Sequence, residues 1–196
     1  MKLVSRRGLL QGAAALAFMP SLRAAAAPWP EPAIDALRRG GVVAAFRHAN
    51  APGTFDPPGF KLDDCSTQRN LDSAGRDQAR RLGEQFRPLG LRPTAVRSSP
   101  WCRCLDTARL AFGAEAVQTW PPLRTTRAAD ADEPQQVRQM RAALARVEAG
   151  RFEVWVSHQF TLGALAGQSL ASGAGLLLRA DVAGNVAIVA ALPAGF

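Results

Sequence analysis

Val42 to Phe46, V-V-A-A-F, is an unbroken apolar run of strand length that stops abruptly at Arg47 and His48. Such a run suits a strand covered on both faces, the position of a strand between two helix layers. Loop residues follow at once in Asn50, Pro52 and Gly53. In open α/β sheets ligands gather beyond the carboxyl ends of the strands, so Arg47 and His48 stand where a reacting group is expected.

The rest of the chain supplies the partners such a strand requires. Pro32 to Arg39 is predicted as a short helix, stopped by Gly40 and Gly41. From Ala51 to Asn70 periodicity is lost among Pro52, Gly53, Pro57, Pro58, Gly59, Asp63, Asp64 and Cys65. A loop of that length inside a compact domain is usually functional or disordered, and this one begins directly after His48, which predicts a rim over the site. Asp72 caps a helix predicted from Ser73 to about Phe86, with Ala79, Leu82 and Phe86 on one face. Thr94 to Ser98 is a second strand. Ser99 and Pro100 open the next helix and place Arg103 in its first turn, where free N–H groups assist in holding an anion. Val117 to Trp120 is a third strand, and Pro134 to about Ala149 a helix with a stripe of Val137, Met140, Leu144 and Val147, closed by Gly150. Phe152 to Ser157 is a strand that again ends in a histidine, His158. Thr161 to Leu170 is predicted helical, and Gly175 to Ala180 and Asn185 to Leu192 are strands joined by a hairpin turn at V-A-G-N. Strands alternating with helices indicate one α/β domain with helices on both faces of the sheet.

Residues 1–26 stand apart from this domain. Lys2, Arg6 and Arg7 precede a mostly apolar Gly8 to Met19 and a small-residue tract from Ser21 to Ala27, the three parts of an export signal. S-R-R-G-L-L at Ser5 to Leu10 resembles the twin-arginine signal, which implies passage of a folded protein through the twin-arginine translocase into the periplasm, with cleavage near Ala26. Its removal takes away Lys2, Arg6, Arg7 and Arg23 and no acid, lowering the formal charge from +8 to +4. The remaining domain, 27–196, has Lys61 as its one lysine and no aromatic-basic platform, so no nucleic-acid partner is expected.

The chain holds two histidines, and both stand immediately beyond apolar strands. Around them, F-R-H-A at Phe46 to Ala49, L-D-S-A-G-R-D-Q-A at Leu71 to Ala79, S-S-P-W-C-R-C-L-D-T-A at Ser98 to Ala108 and V-S-H-Q at Val156 to Gln159 resemble the ordered motifs of the histidine phosphatase superfamily, also called phosphoglycerate mutase-like. The resemblance implies a three-layer α/β/α sandwich. It also implies a phosphate pocket of Arg47, His48, Arg103 and His158.

The chemistry asks for these residue types independently. A phosphomonoester is a dianion that arginine forks grip through charge-assisted hydrogen bonds. A neutral imidazole attacks phosphorus and water later resolves the adduct, so His48 is expected as nucleophile, with Arg47, Arg103 and His158 binding the transferring group. Positioning and charge stabilisation suffice for phosphoryl transfer, and neither cofactor nor metal is expected. Three positions depart from the family pattern. Ala49 replaces the motif glycine, which ordinary dihedrals tolerate. Gln159 follows the second histidine where the acid phosphatase and phytase branch has an aspartate. The mutase branch places a glutamate acid after the second arginine, where Asp130, Asp132 and Glu133 are candidates; Glu133 is preferred because Pro134 fixes it just before a helix.

Export to an oxidising compartment makes a disulfide from Cys65 to Cys102 or Cys104 expected, tying the rim loop to the phosphate-binding helix. The expected activity is hydrolysis of small-molecule or envelope-glycan phosphomonoesters in the periplasm. The competing reading is a phosphate- or phosphoglycan-binding protein that kept the pocket and lost turnover.

Overall fold

The apolar run forms the strand its composition demands, β1 (Val42–Arg47), with helices on both sides. The computed structural model describes residues 29–125 and 133–194, without the side chains of 133 and 134, so the export signal read at residues 1–26 lies outside the described residues. Six strands form one sheet in the order β3-β2-β4-β1-β5-β6, with β2 (Ala95–Ser98), β3 (Val117–Thr119), β4 (Phe152–Ser157), β5 (Gly175–Ala180) and β6 (Val186–Leu192). The first four run parallel, β5 is antiparallel to β1, and β6 is antiparallel to β5.

Alternation along β1 divides the core in two. Val42, Ala44 and Phe46 face α1 (Glu31–Arg39), α2 (Ser73–Phe86) and α3 (Cys102–Phe112); Val43 and Ala45 face α4 (Glu133–Leu144) and α5 (Gln159–Ala166). All five side chains are fully buried, and this is the three-layer α/β/α sandwich that the sequence implies. On the first face Phe86 packs edge-on to Trp29 and Phe112 and stacks with Phe152, so its removal should cost about 3–5 kcal/mol.

Three helices have ends that differ from the sequence reading by two residues or more. The third helix begins at Cys102 rather than Pro100, with Trp101 as its N-cap. The fourth stops at Leu144, five residues early, because the following backbone is taken up elsewhere: Gly41 N donates to the Glu148 and Arg151 carbonyls, and Gly150 N to Arg39 O. The fifth starts at Gln159, directly after His158 as N-cap, and ends at Ala166, where Gly167 enters the left-handed region at φ 72°.

Candidate active site

Parallel pairing of β1 with β4 sets Arg47 opposite Ser157, so the next residue of each strand, His48 and His158, emerge side by side. Their ring centroids lie 5.5 Å apart. Pairing of β2 with β4 sets Ser98 opposite Val156 and so brings Ser99 beside the same point. The carboxyl ends of three adjacent strands therefore supply the floor of one pocket.

The His48 ring is buried, at 2 % exposure, and its Nδ1 lies 2.8 Å from the Ala49 carbonyl. A carbonyl only accepts, so Nδ1 carries the proton and Nε2 of the neutral ring keeps its lone pair. Burial, chiefly, pushes the His48 pKa from 6.5 down to about 3; the Ala49 carbonyl opposes this, and the charges of Arg103, Arg69 and Arg47 add to it. His48 is thus a neutral base with a bare Nε2 throughout the physiological range.

His158 has the opposite tautomer. An arginine only donates, so the Arg103 Nη2 contact at 3.4 Å makes His158 Nδ1 the acceptor, and Nε2–H donates to Ser99 Oγ at 2.8 Å. Burial first, then Arg103, His48, Arg69 and Arg47, hold its pKa well below 6.5. Beside it, burial pushes the Cys104 thiol up to about 12, so that sulfur stays protonated and unreactive.

Three arginines surround the histidines. Arg103 lies in the first turn of α3 and is 4 % exposed. Arg47 ends β1 and donates through Nη1 to the Leu170 carbonyl at 2.7 Å. Arg69, from the rim loop, donates through Nη1 to the Ala51 carbonyl. The Nε of each is buried without a hydrogen-bond partner among the described residues. Orphaned buried donors are costly, and three on one pocket are what an oxyanion with several lone pairs would satisfy. Asp56, also on the rim loop, accepts from Arg103 Nη1 at 2.8 Å, from the Arg69 backbone N–H at 3.0 Å and from Trp101 Nε1 at 3.1 Å. Burial would raise its carboxyl, but those donors and the Arg103 charge together hold it below its ordinary value.

The motifs around the histidines are scaffolding for this arrangement. Asp72 caps α2 by accepting from the Gly75 N–H and also receives Asn50 Nδ2. Gln78 accepts from the Asn50 N–H and donates to Ser172 O, bridging the segment after His48 to the one before β5. Gly75 is required because a Cβ there would lie 1.9 Å from the Asn50 carbonyl oxygen. Ala49 is buried and donates its N–H to Thr107 Oγ1; no described residue other than glycine has a positive φ, so alanine in place of the family glycine carries no strain. Cys65 is disulfide-bonded to Cys102, which leaves Cys104 as the free thiol, and Gln68 Oε1 accepts from the Cys102 N–H. The loop from Ala51 to Asn70 is thereby pinned covalently and by hydrogen bonds to the start of the arginine-bearing helix.

Arg47, His48, Arg103 and His158 thus meet in one pocket. Asp130 and Asp132 lie outside the described residues, as does the side chain of Glu133, which opens α4. Gln159 turns to Ser169, donating through Nε2 at 2.6 Å. Sequence reasoning missed Arg69, Asp56 and the role of Ser99 as the His158 partner. Arg69 stands two residues before the L-D-S-A-G motif, a usable signal; Asp56 sits among prolines and glycines with none. Among the described residues no group of three or more His, Cys, Asp or Glu side chains is placed to hold a metal ion.

Comparison with known proteins bears on the family and the fold. A family model described as histidine phosphatase superfamily (branch 1) matches residues 63–142, a span that includes Arg69 and Arg103 but neither histidine. No curated protein matches the sequence. Among solved structures, the protein histidine phosphatase SixA complexed with tungstate is similar at TM-score 0.56 and 16% identity, over 77% of this chain and 96% of that one. A mycobacterial glucosyl-3-phosphoglycerate phosphatase is similar at TM-score 0.56 and 17% identity, over 76% and 97%. A phosphoserine phosphatase from Entamoeba histolytica, a mutant in complex with phosphoserine, is similar at 0.55 and 13%, over 78% and 97%.

Proposed function

We propose that this chain, which belongs to the histidine phosphatase superfamily, hydrolyses phosphomonoesters through a phosphohistidine formed on Nε2 of His48. One observation carries the reading: the Ala49 carbonyl holds the Nδ1 proton, which leaves a neutral Nε2 as nucleophile among three arginines. Arg47, Arg69 and Arg103 grip the non-bridging phosphoryl oxygens and take up the charge that builds on them. Nε2 attacks phosphorus in line with the leaving oxygen, and water then attacks the phosphohistidine and regenerates the bare ring. His158 braces Arg103 and adds its own ring to the wall of the phosphate seat.

The phosphoryl group is what this pocket is built to recognise, and the leaving group is left to the rim. The similar structures are named for phosphatases of protein histidine, phosphoserine and glucosyl-3-phosphoglycerate, three unlike leaving groups on one phosphate, which fits that division. The twin-arginine-like segment at Ser5 to Leu10 supports a periplasmic setting, where small phosphomonoesters and phosphorylated envelope glycans are the available class of substrate. The test is to quench the mature protein during turnover of a 32P-labelled phosphomonoester. Label stable to alkali, lost in acid and absent from His48→Ala is expected; acid-stable label on a hydroxyl side chain would overturn the assignment.

A further inference from the structure

Ester hydrolysis needs a proton for the departing alkoxide. Among the described residues, Asp56 is the one carboxylate in hydrogen-bond contact with the arginines and histidines of the pocket. Its side chain is 10% exposed, its partner Arg103 4%, and Arg103 Nη2 reaches on to His158 at 3.4 Å. The carboxylate therefore sits on the same guanidinium that grips the phosphoryl oxygens, at the inner edge of the rim loop. Resting on the phosphatase reading above, we propose that Asp56 is the proton donor to the leaving group.

The charges facing Asp56 are Arg103 from α3 and Arg69 from the rim loop; Trp101 donates to it uncharged, and the Cys104 thiol stays protonated. His48 and His158 are neutral and do not compete. In the free pocket the carboxylate is ionised, which is the wrong state for an acid. A bound phosphate corrects this, because once its oxygens take over the arginines the carboxylate loses that pairing and faces a like charge, and both changes raise its affinity for a proton. The phosphomonoester enters as the monoanion and passes its proton to Asp56 as its oxygens take over the arginines. His48 Nε2 bonds to phosphorus, the P–O bond to the leaving group breaks with its electron pair, and Asp56 gives its proton to that oxygen, releasing the alcohol. Asp56, again a carboxylate, takes a proton from the water that cleaves the P–N bond, and inorganic phosphate departs with it.

The pair of substrates that reads this step is an alkyl phosphate, whose leaving oxygen must be protonated, and an aryl phosphate such as p-nitrophenyl phosphate, whose phenolate leaves unaided. Asp56→Asn should lower kcat/KM for the alkyl ester about 10²–10³-fold and for the aryl ester less than about tenfold. Asp56→Glu, which restores a titratable carboxyl, should recover part of the alkyl rate. In the unaltered enzyme the alkyl kcat/KM should fall about tenfold per pH unit above the second phosphate pKa of about 6. Should Asp56→Asn fail to fold, a leaving-group series in the unaltered enzyme still decides: a shallow dependence on leaving-group pKa supports the donor and a steep one overturns it. Equal losses on both esters in Asp56→Asn would reduce Asp56 to a clamp on Arg103. Equal gains would make it a competitor of phosphate, and a selective alkyl loss in Glu133→Gln alone would return the donor to the start of α4; each of these overturns the proposal. If the unaltered enzyme forms no acid-labile phosphohistidine, the phosphatase reading itself fails and Asp56 falls with it.

Discussion

Lowering the pH from 7 to 5 in a phosphate-free buffer should weaken the fold by about 2 kcal/mol through His48 alone. The ring's pKa is 6.5 when unfolded and about 3 in the pocket. Between those values the unfolded chain binds a proton that the folded chain refuses, so stability is full above pH 6.5 and is lost as the pH falls toward 3. At pH 5 that amounts to about 1.5 pH units of unfolded-state protonation at about 1.4 kcal/mol each. The 2 % exposure of His48 leaves little solvent screening to discount. His158 shifts in the same direction and adds to the loss. The sequence has two histidines and both are in this pocket, so no histidine elsewhere contributes to the signal. Urea unfolding of the oxidised protein at both pH values, for the unaltered chain and for His48→Asn, measures it: the variant should lose about 2 kcal/mol of the pH dependence. The same slope in both proteins, or no slope, would refute the burial of a neutral His48. Added phosphate should raise stability at both pH values by binding the folded state alone.

Arg103→Ala and Arg69→Ala should each lower kcat/KM by about 10²–10³-fold and weaken inhibition by phosphate, since each removes a charged donor from the pocket; steady-state kinetics with phosphate as inhibitor checks this, and unchanged constants would remove that arginine from the site. Replacing Cys65 and Cys102 by serine opens a loop of 37 residues and should cost about 4 kcal/mol by chain-entropy reasoning. The same pair of substitutions should raise KM, because the rim loop carries Asp56 and Arg69; denaturant unfolding and kinetics of the double variant test both halves.

Where local sequence decides the outcome, reading it succeeded. β1 and β4 follow from short, mostly apolar runs that each begin within two residues of a glycine, and their ends place both histidines. Asp72 was legible as a cap because capping is a contact of a residue with its own helix. The helix ends were less legible, since Leu144 stops α4 only because residues 148–151 are committed to the turn between α1 and β1, a contact distant in sequence. Asp56 and Arg69 were not legible as a pair for the same reason. Their positions follow from the path of an aperiodic loop, fixed by a disulfide to α3 and by the hydrogen bonds of Gln68 to Lys61, Leu62 and Cys102.

The shared register of β1 and β4 has an evolutionary consequence. His48 and His158 are neighbours because each is the first residue after a strand of six, and the two strands begin and end together. The distance between the two rings is therefore written in a count of residues rather than in which residues they are. Substitutions inside either strand that keep it apolar leave the rings where they stand, and such strands are free to drift. One residue inserted or deleted between Val42 and His48 would swing the His48 ring to the other face of the sheet. Selection on a protein of this design acts on length before identity within the strands, and the aperiodic rim loop is the place where residues can be added without disturbing that count.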